Sequence, residues 1–154
     1  MISKEELEAL LGNHISSHCD QNLIADNLNH CAHFVSHVMG YEFGYQCGNQ
    51  TQSSGEGATI RVQEVFSRCP KVGLWSDKGA CLTSCLAFVT KKSNVDLVRK
   101  TMSNVPRKHI GIFAGGYIYH YSNSKDEVVK QTPAQFANHY QGADYAVFYG
   151  TFIN

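Results

Sequence analysis

Apolar residues recur at helical spacing in the first part of the chain. Ser3 and Glu6 have the spacing of a capping box, and Ile2 and Leu7 that of a hydrophobic staple. Two further leucines continue the apolar stripe until Gly12, which is a natural helix stop. The pattern predicts a short helix that begins just after Ser3, followed by a polar loop or short helix over 13–28.

The segment 29–40 separates into two faces when it is wound at about 100° per residue. The apolar face consists of Cys31, Phe34, Val35 and Val38, and the second face of His30, His33 and His37. Asn27 and Asn29 are candidate N-caps, and Gly40 is a candidate C-terminal stop. The sequence therefore predicts a helix with Cys31 in its first turn.

Short β patterns dominate the second half of the chain. Strands are predicted over 85–90, 109–114, 117–122, 127–131 and 144–152. Helical spacing predicts helices over 59–68, 94–103 and 134–140. Helices followed by a meandering antiparallel sheet indicate an α+β fold. The length of 154 residues fits a single domain, 1–154, in which 41–80 is predicted to be an elaborated segment.

Composition excludes several classes of function. Thirteen basic and thirteen acidic residues cancel, so neither nucleic acid nor an anionic membrane surface is an expected partner. No apolar run is long enough to span a bilayer, and no signal peptide is recognisable, so the chain is expected to be made in the cytoplasm. The six cysteines form no C-x-x-C pair. Neither a cofactor nor a metal is therefore predicted.

The Gly-Gly pair at 115–116 predicts a two-residue hairpin and fixes its register. Paired positions then sum to 231, which sets Gly111 opposite His120. Because side chains alternate between faces, His109 and His120 share one face as diagonal neighbours. Gly111 leaves room for the His120 ring to lean across. The pair is typical of a catalytic base and the residue that orients it, although two satisfied core histidines fit the pattern too.

Cys31 is the candidate nucleophile. At a helix N-terminus, unpaired backbone N–H groups and the helix dipole favour thiolate over thiol. A thiol, a histidine that takes its proton and a second histidine that fixes the tautomer form a nucleophilic triad. The geometry works if the apolar face of the Cys31 helix packs on the hairpin face that carries His109. A buried cysteine that only packs is the simpler alternative.

These residues resemble the NlpC-type cysteine peptidases, papain-like enzymes that cut peptidoglycan stem peptides. His-Cys-Ala-His-Phe-Val at 30–35 is similar to their Cys-Ser-Gly-Phe-Val segment. The segment 109–113 matches their His-Val-Gly-Ile-Tyr strand, and 118–122 matches the strand that follows. The resemblance covers about half of the chain, and His30 and His33 depart from the family's usual small or acidic neighbours of the cysteine.

The resemblance implies a papain-like fold with N-terminal helices packed on a mostly antiparallel sheet. It implies Cys31 as nucleophile, His109 as base and His120 as orienting residue. The Cys31 N–H, with Asn29 or His30 as a side-chain candidate, would stabilise the oxyanion. The implied substrate is a peptidoglycan peptide, typically the bond between D-glutamate and diaminopimelate. Such an enzyme could be a phage lysin, a recycling enzyme or an antibacterial toxin exported as a type VI secretion effector, with an immunity protein as partner.

Other interpretations remain open. An acyltransferase or a protein deamidase uses the same triad and thioester, and a non-catalytic binding or immunity protein could keep the fold with a decayed site. The Cys31 segment also resembles lecithin:retinol acyltransferase-like enzymes, whose order of His before Cys differs from the order here. His33 and His37 have metal-ligand spacing, and a zinc site that adds Cys19 or His30 is a minor alternative.

Overall fold

The computed structural model of the protein describes residues 2–19, 29–43 and 61–154. Within these ranges it contains helices and a mostly antiparallel sheet, as the α+β prediction requires. The predicted cap residue Asn27, most of the loop over 13–28 and positions 44–60 lie outside the described residues.

Four α-helices form within the described residues, where the sequence favours them. They are α1 (Lys4–Glu8), α2 (Cys31–Met39), α3 (Val62–Arg68) and α4 (Pro133–Ala137). The capping box of α1 is confirmed, since the Ser3 hydroxyl accepts from the Glu6 N–H and the Ser3 N–H donates to the Glu6 carboxylate. Gly40 ends α2 with a φ of 71°, as predicted. The fourth helix is shorter than the predicted 134–140 and begins on Pro133 at its first turn.

The main sheet of the described residues has six strands, which are β1 (Val72–Leu74), β2 (Ser84–Lys91), β5 (His109–Ala114), β6 (Tyr117–Ser122), β7 (Glu127–Gln131) and β8 (Tyr145–Gly150). Their order is β1-β8-β2-β5-β6-β7, and every neighbouring pair is antiparallel. The predicted hairpin register is confirmed, because Ile112 pairs with Tyr119 and Ala114 with Tyr117. Strand β1, which the sequence did not predict, pairs with β8 at the sheet edge and lies within the segment 41–80.

The predicted helix over 94–103 is wrong. The chain forms a small hairpin of β3 (Val95–Asp96) and β4 (Thr101–Met102) there. Asp96 Oδ1 accepts from the Arg99 N–H at 3.0 Å, a local bond that stabilises a turn in competition with a helix. Val98, part of the supposed apolar stripe, is 96% exposed at that turn.

Two apolar clusters cover the two faces of the sheet. The larger one joins α1, α2 and α3 to side chains such as Ile110, Ile112 and Tyr121. The smaller one joins Phe136 of α4 to Ile118 and Phe113. Strand alternation places His109 and His120 on the α4 side. The sequence-based hypothesis that the Cys31 helix packs on the histidine face is therefore wrong, because α2 packs on the opposite face.

Candidate active site

His109 and His120 are joined by a hydrogen bond within the hairpin. Nε2 of His109 and Nδ1 of His120 lie 2.8 Å apart, and the two rings meet edge to face. Gly111 makes this possible, since a Cβ there would lie 3.1 Å from His120 Cβ and 2.6 Å from a methyl of Ile118. The diagonal contact expected from the register is confirmed.

Gln131 extends this hydrogen-bonded series to the next strand. Its Oε1 lies 2.8 Å from Nε2 of His120. Because a carboxamide oxygen only accepts, Nε2 of His120 carries the proton and its Nδ1 accepts from Nε2–H of His109. Nδ1 of His109 is then left with a lone pair. The series Gln131–His120–His109 thus fixes the tautomer in which His109 can accept a proton at Nδ1.

Burial keeps both histidines neutral. His109 is 1% exposed, and its ring stacks on His139 at 4.0 Å between centroids. Desolvation lowers the pKa of His109 well below its usual value, and the neighbouring His120 and His139 lower it further. Desolvation also lowers the pKa of His120 to about 4, against the opposing effect of Gln131. Both rings are uncharged at pH 7.

Cys31 is the first residue of α2 and is buried. Burial raises the pKa of its thiol to about 11, which outweighs the lowering by the backbone N–H groups of Ile110 and Ala32 and by the charge of Lys108. The expected effect of the helix N-terminus is present but smaller than the cost of desolvation. At pH 7 the Cys31 side chain is therefore a neutral thiol.

The thiol lies where β5 begins. The backbone N–H of Ile110, the residue that follows His109, is among the groups that lower the pKa of Cys31. On the other face of the sheet, His139 stacks on His109, and Tyr140 is the next residue in the chain. Burial is the largest cause that raises the pKa of Tyr140, and the charge of Cys31 is the next. Cys31 thus lies beside the start of β5, the strand that carries His109, while α2 itself packs on the other face of the sheet.

The two oxyanion candidates both have other partners. Asn29 Oδ1 accepts from the Cys31 N–H at 3.0 Å and from Asn123 Nδ2 at 3.1 Å. The His30 ring lies 3.0 Å from Nδ1 of His33 and packs edge to face on Tyr121. For the Cys31 N–H to bind an oxyanion, Asn29 would first have to release it. The oxyanion roles of Asn29 and His30 stay predictions.

A second polar cluster lies on the other side of α2. His33 contacts His30 through Nδ1 and His37 through Nε2, the latter at 2.9 Å. Ligand atoms of Cys19, His33 and His37 all lie within 4.8 Å of one another. Burial, with smaller contributions from the neighbouring His37 and His30, lowers the pKa of His33 to about 3. The sequence left open whether Cys19 or His30 would be the third ligand of a zinc site at His33 and His37. In the structure Cys19 is the residue that lies with these two histidines.

Sequence reasoning missed Gln131 and His139. Gln131 was recoverable in part, since β6 and β7 pair with His120 opposite Val129, so that Gln131 is the diagonal neighbour of His120. That register depends on the turn at 123–126, which has no strong signature of its length. His139 follows α4, and nothing in the local sequence specifies that α4 covers the histidine face.

No family model, curated protein or solved structure matches this chain. Among the residues that the structure describes, none of the helices combines the length and apolar character required to cross a membrane.

Proposed function

We propose that the protein is a cysteine hydrolase that cleaves amide bonds through Cys31, His109 and His120. The observation that carries the proposal is the hydrogen-bonded series from Gln131 through His120 to His109, which leaves a proton-accepting nitrogen on His109. Cys31 lies at the helix N-terminus beside the residue that follows this histidine.

The reaction begins from a neutral thiol and a neutral imidazole. His109 Nδ1 takes the thiol proton as Sγ attacks the carbonyl carbon, and the tetrahedral intermediate collapses to a thioester. The leaving amine receives that proton from His109. Water then attacks the thioester, with His109 again as base, which releases the acid and restores the thiol. Nδ1 of His120 accepts from Nε2–H of the protonated His109 ring and stabilises its charge.

The proposed substrate is a peptidoglycan stem peptide, with the bond between D-glutamate and diaminopimelate as the first candidate. This assignment rests on the resemblance of 30–35, 109–113 and 118–122 to NlpC-type peptidases and on the papain-like fold that they imply. An effector delivered to the cell wall by a type VI secretion system, with an immunity protein as its inhibitor, is the corresponding biological setting.

Digestion of purified muropeptides, with the products identified by mass, tests the reaction. Cys31→Ala is expected to abolish cleavage while the protein still folds. Cys85→Ala is the matched control, because Cys85 is also buried and burial also raises its pKa, to about 12. Each substitution removes one sulfur at a cost of about 1 kcal/mol in stability. Cleavage retained by Cys31→Ala would refute the proposal.

The acceptor of the acyl group separates the proposed hydrolase from its alternatives. An acyltransferase would give a product joined to an added amine or alcohol, and a protein deamidase would release ammonia from glutamine side chains and leave muropeptides intact. Either outcome would keep the Cys31 thioester and replace the substrate assignment. Both activities should also be lost in Cys31→Ala and retained in Cys85→Ala.

A further inference from the structure

We propose that Cys19, His33 and His37 form a binding site for a zinc ion. Each residue offers a ligand atom, and the three atoms lie within 4.8 Å of one another. His33 and His37 are four residues apart on α2, and Cys19 follows the short 3-10 helix Ile15–Ser17. The proposal is independent of the hydrolase activity.

The spacing is close to that of a zinc site. In a tetrahedral site, Zn–N distances of about 2.0–2.1 Å and a Zn–S distance of about 2.3 Å separate neighbouring ligand atoms by roughly 3.3–3.6 Å. The ring nitrogens of His33 and His37 lie 2.9 Å apart without an ion. A shift of a few tenths of an ångström would open this pair to the spacing of zinc ligands, and the Cys19 sulfur, which lies within 4.8 Å of a ligand atom of each histidine, would move closer by up to roughly 1 Å.

The surroundings of His33 resemble the outer shell of metal-bound histidines. Nδ1 of His33 lies 3.0 Å from Nδ1 of His30, while its Nε2 points to His37. A histidine that ligates through one nitrogen usually donates its other N–H to a fixed acceptor, which sets the tautomer and the ring plane. His30 occupies that position, so Nε2 of His33 is directed into the proposed site.

His18 supplies a further donor nearby. Its Nε2 is buried and has no hydrogen-bond partner within the part of the chain that the structure describes, which is rare for a polar atom in a folded protein. His18 directly precedes Cys19 in the chain, and its ring packs edge to face on Phe34 of α2 with 5.4 Å between centroids. A metal-bound water would give this nitrogen a hydrogen-bond partner.

Imidazole and thiolate together favour zinc over magnesium or calcium, which prefer oxygen ligands. On binding, the Cys19 thiol releases its proton to solvent and the sulfur bonds to the ion, with no change of oxidation state. The ion would link the segment that contains Cys19 to α2. Since Cys31 begins α2, the ion would also hold the helix that carries the proposed nucleophile.

Titration of the chelator-treated protein with zinc, against a chromophoric chelator, measures the affinity directly. One equivalent is expected to bind, and Cys19→Ala and His37→Ala should each weaken binding by more than the roughly 10- to 100-fold that loss of an outer-shell partner costs. His37 lies at the surface, so His37→Ala keeps the test valid if Cys19→Ala fails to fold. Cys85→Ala, on the main sheet, should bind as the parent protein does.

Cobalt provides a second readout. A cobalt-loaded protein should show a thiolate-to-metal absorption band that Cys19→Ala removes and Cys85→Ala keeps. The proposal is overturned if the parent protein binds no zinc, or if both ligand variants bind it as tightly as the parent. Neither measurement uses catalytic activity, so failure of the hydrolase proposal leaves this result unaffected.

Discussion

Gln131 touches neither the thiol nor the base, yet it determines which nitrogen of His109 can accept a proton. Its oxygen holds the proton of His120 on Nε2, and His120 in turn accepts from Nε2–H of His109. Without this acceptor, His120 is free to adopt the other tautomer, in which its Nδ1–H donates to Nε2 of His109 and the proton of His109 moves to Nδ1, where it blocks the proposed base. Gln131 is therefore a positioning residue in the proposed mechanism.

Replacement of Gln131 tests this role. Gln131→Ala is expected to lower kcat by roughly 10- to 100-fold with little change in KM, since the ground-state contacts to substrate remain. Gln131→Glu keeps an acceptor at the same place and should restore most of the rate. Steady-state kinetics on a muropeptide substrate provide both constants. Equal loss in the two variants would indicate that Gln131 only supports the fold.

At the scale of elements, the hairpin of β5 and β6 brings the two histidines together, and Gly111 is the position that permits it. A Cβ at 111 would lie 2.6 Å from Ile118 Cγ2 and 2.9 Å from the Tyr119 carbonyl oxygen. Gly111→Ala is expected to lower the free energy of unfolding by about 1–3 kcal/mol through overpacking. Urea denaturation of the parent protein and of Gly111→Ala measures this difference in the free energy of unfolding. Gly79→Ala, where an added Cβ meets nothing within 4 Å, is the control and should change stability little.

Elements that depend on local chemistry were predictable from the sequence. The Gly115-Gly116 loop fixes the hairpin register by itself. The diagonal contact of His109 and His120 could therefore be predicted by counting residues outward from the loop. The face on which α2 packs did not follow, because Ile110 and Ile112 offer it an apolar surface as suitable as the one the histidines occupy. The Asp96 turn was missed because one side-chain hydrogen bond outweighed a helical spacing of apolar residues.

For the whole molecule, the buried histidines predict a loss of stability in mild acid. In the unfolded chain a histidine takes up a proton below about pH 6.5, whereas burial lowers the pKa of folded His120 to about 4 and that of His109 as well. Between these values the unfolded state binds more protons, so the free energy of unfolding decreases as the pH falls. For His120 alone, the free energy of unfolding is expected to decrease by about 3 kcal/mol between pH 7 and pH 4.

Urea denaturation at a series of pH values from 7 to 4, with a chelator present to remove metal, measures this dependence. His120→Gln removes one of the two groups and is expected to reduce the slope of stability against pH, even though it lowers stability at pH 7. A parent protein whose stability is constant from pH 7 to pH 4 would contradict the burial of neutral histidines. Because the same neutrality supplies the proton-accepting nitrogen of His109, such a result would also remove the base from the proposed mechanism.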